Sequence, residues 1–93
     1  MTRRVNIVVS GKVQGVCFRA ATQKQAEKLG VNGWVRNLAT GDVEVNALGT
    51  SSAIEELIRW CHKGPTFARV KQVQVADLPE GEEFAGFEII RDQ

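Results

Sequence analysis

The residues of this chain best suited to chemistry lie in one stretch, Gly11-Lys12-Val13-Gln14-Gly15-Val16-Cys17-Phe18-Arg19. An apolar run precedes it and a segment of helical spacing follows. Two glycines let the backbone turn sharply, and Arg19 puts a permanent positive charge where a helix should open. The N–H groups of Gln14, Gly15, Val16, Cys17, Phe18 and Arg19 could converge there on one phosphate-sized anion, aided by the positive helix end. The Arg19 guanidinium could grip two oxygens at once, which a lysine ammonium cannot. The plain alternative is a tight turn that needs its glycines, with Arg19 solvated.

Other phosphate loops are excluded on spacing. Gly11-Lys12 lacks both the following Ser or Thr and the earlier glycine of a P-loop. Cys17 lies too close to Arg19 to be a nucleophile at the centre of a phosphatase cradle, and reads as a small filler. A second candidate is Asn37, in Gly33-Trp34-Val35-Arg36-Asn37. Its amide, at a strand end before a turn, offers a donor and an acceptor that could hold a water molecule in one direction. Asparagine also favours such positions for local backbone reasons, so that reading stays open. Arg36 reads as a solvated charge, Trp34 as packing, and His62 as a surface residue suited to a helix C-terminus.

The elements that must position these residues follow from periodicity. Val5, Ile7 and Val9 alternate through a first strand over residues 5–10, with Val8 making its outer face partly apolar. Ala21, Gln25, Ala26 and Leu29 recur at helical spacing after Phe18, and Gly30 should end that helix. Residues 31–38 and then Val43, Val45 and Ala47 read as two strands joined through the Gly41 turn. Ser52 with Glu55 is a capping-box pattern opening a second helix. Its stripe is Ile54, Leu57, Ile58 and Cys61, Trp60 flanks the stripe, and Gly64-Pro65 stops the helix. Val73 and Val75 suggest a fourth strand, residues 78–83 a polar loop, and Phe87 to Ile90 a short final strand.

That order, βαββαβ with an optional terminal strand, points to an α+β fold. Two helices cannot cover both faces of such a sheet, so both should lie on one face of a mainly antiparallel sheet of four or five strands. A ferredoxin-like sandwich forming a single domain over residues 1–93 is expected.

Bulk properties limit the function classes. The chain has 93 residues, net charge +1, and apolar and charged fractions of 43% and 25%. This is the profile of one globular domain without the basic excess of a binder of long nucleic acid or anionic membrane. RNA binding on the open sheet face would need aromatics interleaved with basic residues, which Val5, Ile7, Val43 and Val45 do not supply. The N-terminal apolar run ends too early for a signal peptide, and none approaches the ~20 residues of a membrane span. Cys17 and Cys61 form no CxxC pair and read as two reduced thiols. His62 is the only histidine, so a zinc site lacks ligands. A cytoplasmic protein is expected.

Residues 9–19, Val9-Ser10-Gly11-Lys12-Val13-Gln14-Gly15-Val16-Cys17-Phe18-Arg19, resemble the first signature of the acylphosphatases. Gly33-Trp34-Val35-Arg36-Asn37, followed by Gly41, Val43 and Gly49, resembles the second, and Gly86-Phe87-Glu88-Ile89 the family's usual ending. The resemblance spans nearly the whole chain. It implies hydrolysis of an acyl phosphate to a carboxylate and inorganic phosphate. Arg19 and the loop N–H groups would bind the phosphoryl group, and Asn37 would orient the attacking water. No cofactor or metal is implied, and the expected partners are a small acyl phosphate and inorganic phosphate as product and inhibitor. A monomer with no nucleic-acid or membrane partner is expected. The competing expectation is a non-catalytic module that binds phosphate or carbamoyl phosphate.

Overall fold

The computed structural model describes residues 1–79 and 85–91. The elements run β1 (Thr2–Lys12), α1 (Phe18–Leu29), β2 (Asn32–Asn37), β3 (Val43–Thr50), α2 (Ser51–Lys63), β4 (Arg69–Asp77) and β5 (Phe87–Ile90). The polar loop expected over residues 78–83 lies outside the described residues from position 80 onward.

The five strands form one sheet in the order β4-β1-β3-β2-β5. All neighbours are antiparallel except β2 and β5, which run parallel. The alternation of Val5, Ile7 and Val9 sends those side chains to one face, where all are fully buried with Val35, Val43, Val45 and Ala47. Both helices cover this face, α1 over β2 and β5, α2 over β1, β3 and β4. This is the expected ferredoxin-like sandwich.

Helix α2 buries Ile54, Leu57 and Cys61, as its stripe requires. Its start differs from the expected capping box. Strand β3 continues to Thr50, whose hydroxyl accepts from the Ala53 N–H at 3.2 Å. With Thr50 as N-cap, the third helical position is Ala53, which has no side chain to reciprocate, so Ser52 and Glu55 do not form the box. Helix α1 also turns its face differently. Thr22 is buried between Phe18 and Ala26, while Ala21 and Gln25 are only half-buried. Its hydroxyl donates to the Phe18 carbonyl at 2.7 Å, which lets a polar residue sit inside the core.

Two glycines are set by close approach. At Gly11 (φ 122°) the β1–β4 register shifts, and an added Cβ would lie 2.2 Å from the Arg69 carbonyl oxygen. This irregularity bends the end of β1 out of the ladder and into the segment that follows. At Gly33 (φ 144°) a Cβ would lie 1.8 Å from the Asn46 carbonyl oxygen, so β2 and β3 pack there with bare backbone.

Candidate active site

The sheet register brings two separate pieces of sequence to one end of the molecule. Val43 pairs with Val9 on one side and with Asn37 on the other. The chain leaving β1 and the last residue of β2 therefore emerge side by side. Between β1 and α1, Gly15 stands at φ 76° and Cys17 at φ 64°, with Val16 between them at negative φ. Alternation of this kind turns successive N–H groups toward one point and forms an anion-binding concavity. Cys17 is the one non-glycine residue at positive φ among those described, and such strain persists where the surroundings enforce it.

Helix α1 opens directly onto this concavity. Its N-cap, Cys17, makes no side-chain capping bond, and the first intrahelical bond runs from Ala21 N–H to the Cys17 carbonyl at 3.0 Å. The N–H groups of Phe18, Arg19 and Ala20 thus have no acceptor within the helix. They stand at the positive end of the helix dipole with no acidic side chain in the first turn. Phe18 is fully buried, its ring 5.4 Å from that of Trp60, and so it anchors this helix end in the core.

The cleft at this point has a volume of about 360 Å³. Gly15, Cys17, Phe18, Arg19 and Ala20 line one side, with Val13 beneath, and Asn37, Ile89 and Arg91 complete it. Arg19 and Asn37, both half-buried, therefore face one space. Two arginines and a run of backbone amides give this lining its hydrogen-bond donors. Among the described residues no group of three His, Cys, Asp or Glu side chains could hold a metal ion.

Two of the proposed loop residues lie outside the lining. Val16 packs against the hydrophobic core. Gln14 reaches away from the cleft, and its side-chain amide donates to the carbonyls of Leu38 (2.8 Å) and Asp42 (2.9 Å) in the β2–β3 turn. Cys17 is exposed rather than a packed filler, because the left-handed N-cap position turns it out of the core. Arg36 is not simply solvated. It pairs with Glu44 at 2.7 Å and lies 5.1 Å over the Trp34 ring, on the sheet face opposite the helices. His62 is exposed in the last turn of α2, as expected.

Sequence reasoning missed Val13, Ala20, Ile89 and Arg91 as cleft residues. Ile89 and Arg91 arrive because β5 pairs in parallel with β2, Val35 opposite Ile89 and Arg36 opposite Ile90, which carries Arg91 to the level of Asn37. A parallel pairing between distant strands leaves no local signal. The short apolar run Phe87 to Ile90, ending in a cation, was its only trace.

No helix among the described residues is long and apolar enough to cross a membrane. Residues 5–89 match the acylphosphatase family model. A curated acylphosphatase of Rubrobacter xylanophilus is 52% identical over 88 residues, covering 95% of this chain and 80% of the relative. Among solved structures, an acylphosphatase from Coxiella burnetii superposes with TM-score 0.91 at 39% identity, covering 96% of this chain and 93% of that one. One from Bacillus subtilis gives 0.92 at 33% identity, with 97% and 99% covered. A family match across the domain, close relatives and the same fold agree with the cleft's chemistry: this chain belongs to the acylphosphatase family.

Proposed function

We infer that the cleft splits the carboxyl–phosphate bond of a small acyl phosphate by direct attack of water on phosphorus. The observation that carries this reading is the meeting of Arg19 and Asn37 in one cleft at the uncapped start of α1. The N–H groups of the Gly15–Arg19 turn and the Arg19 guanidinium hold the phosphoryl oxygens. In a loose phosphoryl-transfer transition state, charge spreads over these oxygens, so fixed donors around them supply most of the stabilisation. The Asn37 amide accepts from a water molecule on the far side of phosphorus and aims its lone pair along the line of attack. Arg91, also in the lining, adds positive charge to the cleft.

The leaving group accounts for the rest of the lining. A carboxylate departs as a stable anion and needs no proton from the protein. Arg19 retains its charge at any working pH and shuttles no proton. An alkoxide leaving group would need a general acid, and the cleft lining consists of apolar, amide, thiol and guanidinium groups. Inorganic phosphate is the second product and competes for the same cradle. Two free cysteines, one buried and one exposed, suit the reducing cytoplasm. One core, shared by both helices and the sheet, supports a single domain.

The test is turnover on a panel of acetyl, benzoyl and carbamoyl phosphates beside a phosphomonoester such as phenyl phosphate. Hydrolysis of the acyl phosphates with phosphate as competitive inhibitor is expected, and the monoester should be left intact. Equal rates on both classes would contradict the leaving-group argument. Phosphate binding without turnover would favour the non-catalytic module.

A further inference from the structure

The Gln14 side chain forms a brace between the two halves of the site. Its amide nitrogen has two N–H groups, and both are used, one on the Leu38 carbonyl at 2.8 Å and one on the Asp42 carbonyl at 2.9 Å. These two acceptors belong to the pair that already closes the β2–β3 turn. Leu38 N–H donates to Asp42 O at 2.8 Å, and Gly41 N–H donates to Leu38 O at 3.1 Å. Gln14 occupies the second lone pair of each. The turn therefore has its own hydrogen bonds without Gln14, and satisfying stranded carbonyls does not explain the contact.

What the contact does is spatial. Gln14 precedes the Gly15–Arg19 turn, and Leu38 follows Asn37 directly. The phosphate-holding turn and the residue that faces it share no covalent path shorter than the whole of α1 and β2. The half-buried Gln14 amide, bound at two points, fixes their separation and rotation. The backbone ladder sets the approximate spacing through the Val43–Asn37 pair, and Asn37 is the last residue of its strand, beyond which that pairing gives way to the turn.

We propose that Gln14 is a positioning residue for the reaction: its amide locks the β2–β3 turn to the phosphate-binding turn and thereby places Asn37 relative to the bound phosphoryl group. This rests on the reading of Asn37 as the residue that holds water. Gln14 contributes no side chain to the cleft lining, so the phosphoryl cradle is complete without it.

The experiment is a double-mutant cycle between Gln14→Met, similar in length but without donors, and Asn37→Ala, with kcat, KM and the inhibition constant of inorganic phosphate measured on benzoyl phosphate. Gln14→Met should lower kcat about ten- to a hundredfold, the scale of a misplacement of order 1 Å. The phosphate inhibition constant should stay within about twofold. In the Asn37→Ala background the same substitution should cost less than about twofold, because the group it positions is gone. Gln14→Asn keeps the amide on a shorter arm and should reproduce the kcat loss, which covers the case in which the methionine variant folds poorly. A Gln14→Met kcat equal to wild type, or an equal loss with and without Asn37, overturns the proposal. A fully active Asn37→Ala contradicts the water-holding reading on its own, and is seen before the cycle is closed.

Discussion

The Phe18 ring stands 5.4 Å from that of Trp60 at an interplanar angle of 54°, tying the first residue of α1 to the last turns of α2. Phe18 thus joins the hydrophobic core to the cleft, since the next residue is Arg19. Gly64, at the end of α2, leaves room for this ring: a Cβ there would lie 2.9 Å from Phe18 Cε2. The proposed anion site stands on a helix end held by aromatic packing.

Phe18→Ala should therefore lower stability by about 3–5 kcal/mol, the usual range for emptying a buried aromatic site. Urea unfolding measures it. Phe18→Leu should recover most of that loss, and phosphate should bind the leucine variant nearly as it binds wild type.

Arg19→Ala should leave folding unchanged and reduce kcat/KM by roughly 10²–10³, as expected for removal of a preorganised charge contact. Arg19→Lys should not restore the activity, because an ammonium cannot bridge two phosphoryl oxygens as a guanidinium does. Phosphate inhibition should weaken in both. Steady-state kinetics with far-ultraviolet circular dichroism separates this from unfolding.

The glycines give a contrast between strain and clash. At Gly15 (φ 76°) a Cβ meets nothing within 4 Å, so Gly15→Ala costs only its left-handed backbone, about 1–2 kcal/mol. At Gly33 a Cβ would drive 1.8 Å from the Asn46 carbonyl oxygen, and Gly33→Ala should fail to fold at ordinary temperature. Thermal melts of the two variants make the comparison.

Burial pushes the Cys61 thiol from 9.0 up to about 12. Between pH 9 and pH 12 the unfolded chain gives up this proton while the folded protein keeps it, so stability falls as pH rises through that window. Below pH 9 the thiol is protonated in both states and adds no slope. Urea midpoints followed from neutral into alkaline solution should show a shallower decline for Cys61→Ala than for wild type.

Much of this architecture is legible in the amino-acid sequence. The Val5, Ile7, Val9 alternation and the Ile54, Leu57, Cys61 stripe are local patterns, and both bury the residues they designate. Arg19 and Asn37 were readable as polar groups at the ends of such elements. What escaped was set partly by local hydrogen bonds that periodicity does not show and partly by tertiary contact. Thr22 is inside because its hydroxyl finds the Phe18 carbonyl, and Thr50 caps α2 because β3 runs further than its alternation suggests. Arg91 enters the cleft through a parallel strand pairing, and Gln14 reaches across to a turn that only the folded sheet brings near.

In the proposed reaction a turn holds phosphate and an asparagine holds water. Asn37→Ala tests this division directly, through kcat on benzoyl phosphate and the inhibition constant of inorganic phosphate in the same preparation. The expected result is a kcat lowered by about a hundredfold or more, with phosphate inhibition within about threefold of wild type. An unaltered kcat would contradict it, as would loss of phosphate binding in step with turnover.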